Sequence, residues 1–363
     1  MSKRSTMTMV VATLTALAIA VGLGGLFIAA TGRSAVDIYA LLLRETFTTW
    51  YGIGQVLFKA TTLIFTGLSA ALCFRAGLFN IGGEGQMIAG AFLSALVGFS
   101  LPGFPPMLLI PLCFAAAFLG GALWGFVPGL LKARFGAHEV INTIMMNFIA
   151  AAVVSYLVNS VYAVPATMHT PLVDPAAQVP RLDQFVEGFR GSPVNASLLV
   201  ALGTSLLLTL FLWRTVPGFE LRALGLNASA AEAAGINLRT RTVLAMSLGG
   251  GLAGLGGTNF VLGYKHYYEM GFSDGAGFLG IAVALVARNH PLAILPAAFL
   301  FGVLEYGGLT INAVVPKELV TILQGLTILS VVVCTKLMVR LLDRMPAAAT
   351  AGPGPADPGV RSV

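Results

Sequence analysis

The chain is built around about ten long apolar runs, most of them near the roughly 20 residues that an α-helix needs to cross about 30 Å of hydrocarbon. They fall at Met7 to Ala30, Val56 to Cys73, Met87 to Ser100, Pro106 to Leu131, Glu139 to Val161, Ala196 to Trp213, Val243 to Leu262, Gly275 to Ala287, Pro291 to Gly307 and Leu319 to Met338. Charge is scarce to match: of 363 residues 57% are hydrophobic and 10% charged, and the mean hydropathy is +0.87. Soluble domains carry about a quarter charged residues, so this chain has too few to solvate it. Backbone polar groups in lipid must be satisfied within the segment, which helices achieve. The expectation is an all-α, polytopic membrane protein of about ten transmembrane helices. A water-soluble enzyme, a disordered chain and a nucleic-acid binder are excluded, the last despite a pI of 9.4.

Lys3 and Arg4 precede the first run, which exceeds the roughly 7 to 15 residues of a secretory signal core, so it reads as a retained first span. With the N-terminus in the cytoplasm, ten spans place 14 of the 21 Lys and Arg residues inside, and both termini with them. That bias follows the positive-inside rule. Residues 1–344 form the transmembrane domain; the Pro/Gly-rich stretch in 345–363 is a disordered cytoplasmic tail. The external loop 162–195 is Pro-rich and fits either a compact cap or a solvated linker, and a cytoplasmic loop spans 215–240. Cys73, Cys113 and Cys334 sit in apolar runs without metal or disulfide spacing.

Two segments interrupt the apolar pattern. In Phe74 to Gln86 four glycines mix with Asn80, Glu84 and Gln86. Irregular backbone at membrane depth is tolerated only where protein or a water-filled cavity surrounds it, and an acid there is costly. Glu84 therefore pairs, with Arg75 as the candidate, or lines an aqueous path. A second break, Gly263 to Gly277, leads into the short eighth run. Spans two and seven then run in opposite directions, as two inverted repeats with broken helices require. Tyr264, Tyr267 and Tyr268 fit an interfacial aromatic belt or a stacking platform for a flat ligand.

In the 215–240 loop, Asn227 is a candidate N-cap, Ala228 to Ala234 are strong helix formers and Gly235 is a left-handed stop. A short helix coated in methyl groups has little reason to float in solvent, and it reads as a docking element for another protein. No GxxxxGK[ST], HExxH or nucleophile elbow is present. His138, His169, His266 and His290 show no ligand spacing, so the sequence offers no catalytic or metal residues and no cofactor site of its own. A transporter of this kind would draw its energy from a partner.

Four segments carry a resemblance: FRAGLFNIGGEGQMIAGA (Phe74 to Ala91), EVINTIMMNFIA (Glu139 to Ala150), RALGLNASAAEAAGI (Arg222 to Ile236) and GFLGIAVALVARNHP (Gly277 to Pro291). Together the chain resembles the membrane permeases of ABC importers of the branched-chain amino-acid/simple-sugar type, nearest the longer permease of nucleoside importers. The resemblance implies a bacterial inner-membrane subunit working with a second homologous permease, an ATPase whose two cassettes bind ATP and Mg, and an extracytoplasmic substrate-binding lipoprotein. It places Phe79, Asn80, Glu84 and Gln86 in the signature segment by the pore. Asn227, Ala231, Glu232, Ala234 and Gly235 would lie in the helix that couples to the ATPase. It also implies a glycine where Ala287 stands, before the turn Arg288 to Pro291. The alternatives are a permease for simple sugars or branched-chain amino acids, and a secondary transporter with Glu84 as a proton or cation site.

Overall fold

A computed structural model describes residues 21–30 and 32–312, with a few isolated positions on either side. Among these residues there is no strand, only two isolated bridges, His169 with Glu269 and Arg181 with Asn195. The helices are α1 (Val21–Ala30), α2 (Ala35–Phe47), α3 (Trp50–Arg75), α4 (Gly83–Ser100), α5 (Pro106–Phe135), α6 (Glu139–Tyr156, continued by a π turn Leu157–Val161) and α7 (Ser197–Arg214). They continue as α8 (Val216–Leu226), α9 (Ala228–Ala233), α10 (Leu238–Gly256), α11 (Thr258–Val261), α12 (Ala276–Val286) and α13 (Pro291–Thr310).

Local chemistry sets their ends. Thr49 caps α3 by accepting from the Gly52 N–H, and Asn237 caps α10 by accepting from the Thr240 N–H. α5 starts at Pro106, where a missing N–H costs nothing. It stops at Gly136, whose φ of +66° lets its N–H reach the Leu131 and Lys132 carbonyls.

Five of these helices are long and apolar enough to cross a membrane: α3, α5, α6 with its π turn, α7 and α13. The bent pair α1 and α2 would make a sixth. α4 and α10 match the third and seventh expected spans but carry polar and glycine residues in their first half or along their length. α12 has 11 residues, about 16 Å of rise, and so covers half a bilayer, as its short apolar run predicts. The first expected span up to residue 20, most of the tenth (Leu319 to Met338), the tail and Cys334 lie outside the described residues.

Several boundaries differ from the sequence reading, among them the starts of α3 at Trp50 rather than Val56 and of α10 at Leu238 rather than Val243. Residues 31–55 were not assigned an element by apolar length, yet 35–47 form α2, capped by Ser34 and docked through Ile38, Leu42 and Thr46. At 13 residues, with Asp37, Arg44 and Glu45 among them, it is too short and too charged for a search for long apolar runs to pick up. The seventh expected span, Val243 to Leu262, is broken at Gly256–Gly257 into α10 and the single turn α11.

α3 is the central helix. Of its most apolar 18 residues 83% are buried, against 28% in α5, α6 and α7, so α3 faces protein while the others face outward. α5 and α10 form the most extensive pairing. A Cβ on Gly121 would lie 2.9 Å from the Gly250 carbonyl carbon, and one on Gly125 only 3.1 Å from the Gly250 Cα, so the two backbones touch through glycine. In lipid, where apolar burial gives helices little reason to associate, such close van der Waals contact is a main source of cohesion.

Loop 162–195 folds onto the second break. The Val173 N–H donates to the His266 carbonyl (2.8 Å), Asp174 N–H to Gly98 (3.0 Å) and Val179 N–H to Leu262 (3.0 Å). Val173, Ala177, Val179 and Val194 of the loop are buried. Tyr268 is buried there too, against Phe92 and Phe272, and Tyr267 stacks on His169. The three tyrosines are thus not alike: Tyr268 is buried, whereas Tyr264 lies near Arg181 and Lys265, and Tyr267 near Lys265.

Gly250→Val is expected to force α5 and α10 apart and to cost at least the 1–3 kcal/mol of an overpacked core. The protein should elute as aggregate in size-exclusion chromatography in detergent. Gly203→Val on α7, where a Cβ meets nothing within 4 Å, should elute as wild type.

Candidate translocation and coupling site

α3 ends with Gly77 in the left-handed region (φ +72°) and Leu78 N–H bonded back to the Cys73 carbonyl at 2.9 Å. This is the glycine stop expected of a helix followed by a turn. The break that follows is short, residues 76–82, and its Asn80 side chain and several of its backbone groups have protein partners. Asn80 and Gln86 exchange side-chain amide hydrogen bonds (2.9 and 3.1 Å), and Asn80 Oδ1 also accepts from Gly82 N–H. Thr143 Oγ1 accepts from Ile81 N–H, Asn147 donates to the Ile81 carbonyl (3.0 Å), and Asn147 Oδ1 accepts from Gly85 N–H (2.8 Å). Two residues one turn apart on α6 therefore hold the break in place of backbone bonding.

Glu84 lies on the first turn of α4 rather than in the break. Its Oε2 accepts from Gly277 N–H at 2.8 Å, on the first turn of α12. Two helix N-termini meet at this carboxylate. A Cβ on Gly277 would lie 2.5 Å from the Glu84 Cα, so the approach requires glycine. A carboxylate near an N-terminus gains up to about 2 kcal/mol in partly buried geometry, and a charge-assisted hydrogen bond about 1.5–3. Together these offset the roughly 3 kcal/mol cost of an acid at membrane depth. The expected pairing of Glu84 with Arg75 is not made.

Arg75 has another task. Its Nε donates to the Asn289 carbonyl (2.8 Å) and an Nη to the Arg288 carbonyl (3.4 Å). Arg288 and Asn289 are both left-handed (φ +53° and +57°), an unfavourable conformation for side-chain-bearing residues. The guanidinium secures the carbonyls of that turn. Ala287 is right-handed (φ −73°), which removes the need for a glycine at that position. The strain falls one residue later.

The α8–α9 hairpin is tied to the same place. Arg75 and Arg222 lie over the Trp213 ring, at 5.4 and 5.6 Å from its centroid, and His290 packs beside it at 5.0 Å. Arg222 also donates to the Leu212 carbonyl (2.9 Å). Burial, then the charge of Arg75, lowers the His290 pKa, so its ring is neutral near pH 7 and adds no third cation. Gly225 rests on the end of α3, where a Cβ would lie 2.8 Å from Gly77 N. Asn227 caps α9 by accepting from Ala230 N–H, and Gly235 (φ +83°) stops it. Ser229, Ala230, Glu232, Ala233 and Ala234 are exposed, as is Leu226 at 88%.

Residues 52–332 match the model of the family described as branched-chain amino acid transport system / permease component. The chain belongs to this family. The guanosine ABC transporter permease NupP of Bacillus subtilis is 37% identical over 321 residues, covering 87% of this chain and 91% of the relative. The glucose ABC transporter permease TsgB13 of Haloferax volcanii is 35% identical (87% and 85%), and the nucleoside ABC transporter permease NupB of Lactococcus lactis 34% (86% and 87%). The permease is therefore a membrane-embedded, multi-pass transport subunit, and family membership implies an ATPase and a substrate-binding partner in general terms.

Of the residues expected at the pore, Phe79 is exposed and Glu84 half-buried, whereas Asn80 and Gln86 are buried at 2% and 1% and satisfy each other. The latter two brace the break. On the hairpin, Asn227, Glu232, Ala234 and Gly235 are exposed, but Ala231 is 4% exposed and faces its own chain. A helix of six residues always turns one side inward, and the alanine run gives no sign of which. Thr143, Asn147, Trp213 and Gly277 were not singled out by the sequence reading. A lone Asn in an apolar helix is the signal that could have found Asn147.

Glu84→Ala should detach α12 from α4 and reduce transport at least about tenfold, the effect of one lost charge-assisted bond. Glu84→Gln, which keeps an acceptor for Gly277, should retain more activity. Uptake into proteoliposomes at matched protein content measures both.

Proposed function

We propose that the permease forms the translocation path for a nucleoside-like solute in an ATP-driven importer, coupling to its ATPase through the α9 helix. The observation that carries this reading is the hairpin itself. It presents small side chains and the apolar Leu226 to solvent, and through Gly225, Arg222 and Trp213 it is fastened to the end of α3 and the broken segment. A helix with that exposure fits a groove on another protein, and its inner attachment leads to Glu84 and α12. Movement imposed on α9 would then reach the paired half-helices as a rigid-body displacement.

The assembly pairs this chain with a second homologous permease, a two-cassette ATPase that binds ATP and Mg, and an extracytoplasmic lipoprotein that captures the solute. Both termini and the α8–α9 hairpin face the cytoplasm of a bacterial inner membrane, in keeping with the Lys/Arg bias. The guanosine and nucleoside permeases among the relatives support a nucleoside-like solute. A sugar is the second reading, favoured by the Haloferax volcanii glucose permease at nearly equal identity.

Reconstitution of all four components should give ATP-dependent accumulation of a labelled nucleoside. Gradient-driven uptake by this chain alone would contradict the reading. Ala234→Trp and Glu232→Arg, on the exposed side of α9, should lower permease-stimulated ATP hydrolysis by about tenfold, within the usual range of coupling free energies. Folding should be unaffected. Trp213→Ala should uncouple hydrolysis from uptake, and Trp213→Phe, which keeps a ring between the arginines, should restore part of it.

A further inference from the structure

Between the end of α5 and the start of α10 lies a groove of about 470 Å³, lined by Leu130, Ala133, Arg134, Arg239, Val243 and Leu244 together with Thr240 and Ser247. It opens because the contact that joins these helices ends there. Glycines 121, 125 and 129 let α5 lie on α10, and beyond Gly129 and Val243 side chains stand between the two helices. We propose that this groove binds one anionic phospholipid, with its phosphate between Arg134 and Arg239 and an acyl chain along Leu130, Val243 and Leu244.

Polarity and depth carry the assignment. Arg134 is the penultimate residue of α5 and Arg239 the second of α10, so both stand at the helix ends where headgroups lie. Leu130 lies about 6 Å below Arg134 and Leu244 about 7 Å below Arg239 at 1.5 Å per residue, within reach of hydrocarbon. Both arginines are exposed and have no acidic partner among the described residues. The neighbouring cations are engaged, Lys132 with Glu139 at 2.8 Å and Arg241 with Glu220. The N-terminus of α10 adds its positive end to the site, and Phe135, 73% exposed, stands at headgroup level beside it. The ATPase would reach the rim but not the apolar floor, and a second copy of this chain would bring like charges. A phospholipid matches both ends, and basic pockets between transmembrane helices are known to hold anionic headgroups.

The full-length permease is placed in nanodiscs of phosphatidylcholine with a minority of phosphatidylglycerol, and lipid retained after release into detergent is counted by native mass spectrometry. Wild type is expected to retain one phosphatidylglycerol. Removing both charges in Arg134→Gln/Arg239→Gln should weaken retention by about 30-fold, near fivefold for each arginine. Ala133→Trp, which fills the groove and keeps both arginines, should lose the lipid as well, and Arg33→Gln, at the α1–α2 turn, should not. The thermal midpoint of wild type should rise with phosphatidylglycerol, as for any ligand of the native state, and that of the double variant should not. Equal retention by wild type and the double variant, or no preference for phosphatidylglycerol over phosphatidylcholine, would overturn the proposal. So would a groove that becomes protected only when ATPase or a second permease is added.

Discussion

The contact between the Glu84 carboxylate and the Gly277 N–H joins two helices that each begin inside the membrane-spanning body. Everything around it serves to make such beginnings tolerable. A helix that starts away from water leaves its first amides without partners, and in lipid no solvent supplies them. At α4 the Gly85 N–H finds Asn147 Oδ1 and the N–H of the preceding Gly82 finds Asn80 Oδ1; at α12 the Gly277 N–H finds Glu84. The cost of placing an acid there and the cost of the exposed amide cancel to within a few kcal/mol. Removing either partner alone exposes the other.

The same economy governs packing. With little hydrophobic force between helices in lipid, the permease brings backbones together at glycine: α5 on α10, α4 against α12 at Gly83 and Gly277, and α8 on α3 at Gly225 and Gly77. Contacts of this kind resist small deformation but slide or tilt as units, because no long side chains interlock. At one end of the molecule the end of α3, α8 and the turn between α12 and α13 are gathered on Trp213 by Arg75 and Arg222. α9 projects from this cluster. In the proposed coupling, a push on α9 would act on the end of α3 and on the turn that follows α12.

How much of this was legible in the sequence depended on whether a signal was local. Long apolar runs located α5, α6, α7 and α13 to within a few residues and α3 less closely at its start, and the Gly235 stop and the Asn227 cap are single-residue chemistry that was readable in advance. α2 was not, because its 13 residues, with Asp37, Arg44 and Glu45 among them, fall short of a span. Pairings between distant segments were hidden: Arg75 was matched to Glu84, its nearest acid in sequence, but the fold brings the Arg288–Asn289 carbonyls closer. Burial of Asn80 and Gln86 was hidden as well, since the same polar residues could have lined water had Asn147 and Thr143 not stood opposite. Ala231 illustrates the limit, for composition located the short helix α9 but did not tell its buried side from its exposed one.

Distance measurement between spin labels tests most directly whether the hairpin and the half-helices move as one. In the assembled transporter, labels at Ala234 on α9 and Phe278 on α12 would be compared with a pair at Ala234 and Phe135, at the end of α5. On ATP binding the account predicts that the first distance stays constant within about 2 Å, the scale of ordinary helix shifts, and that the second changes by more. A change in the first distance while the second stays fixed would contradict it.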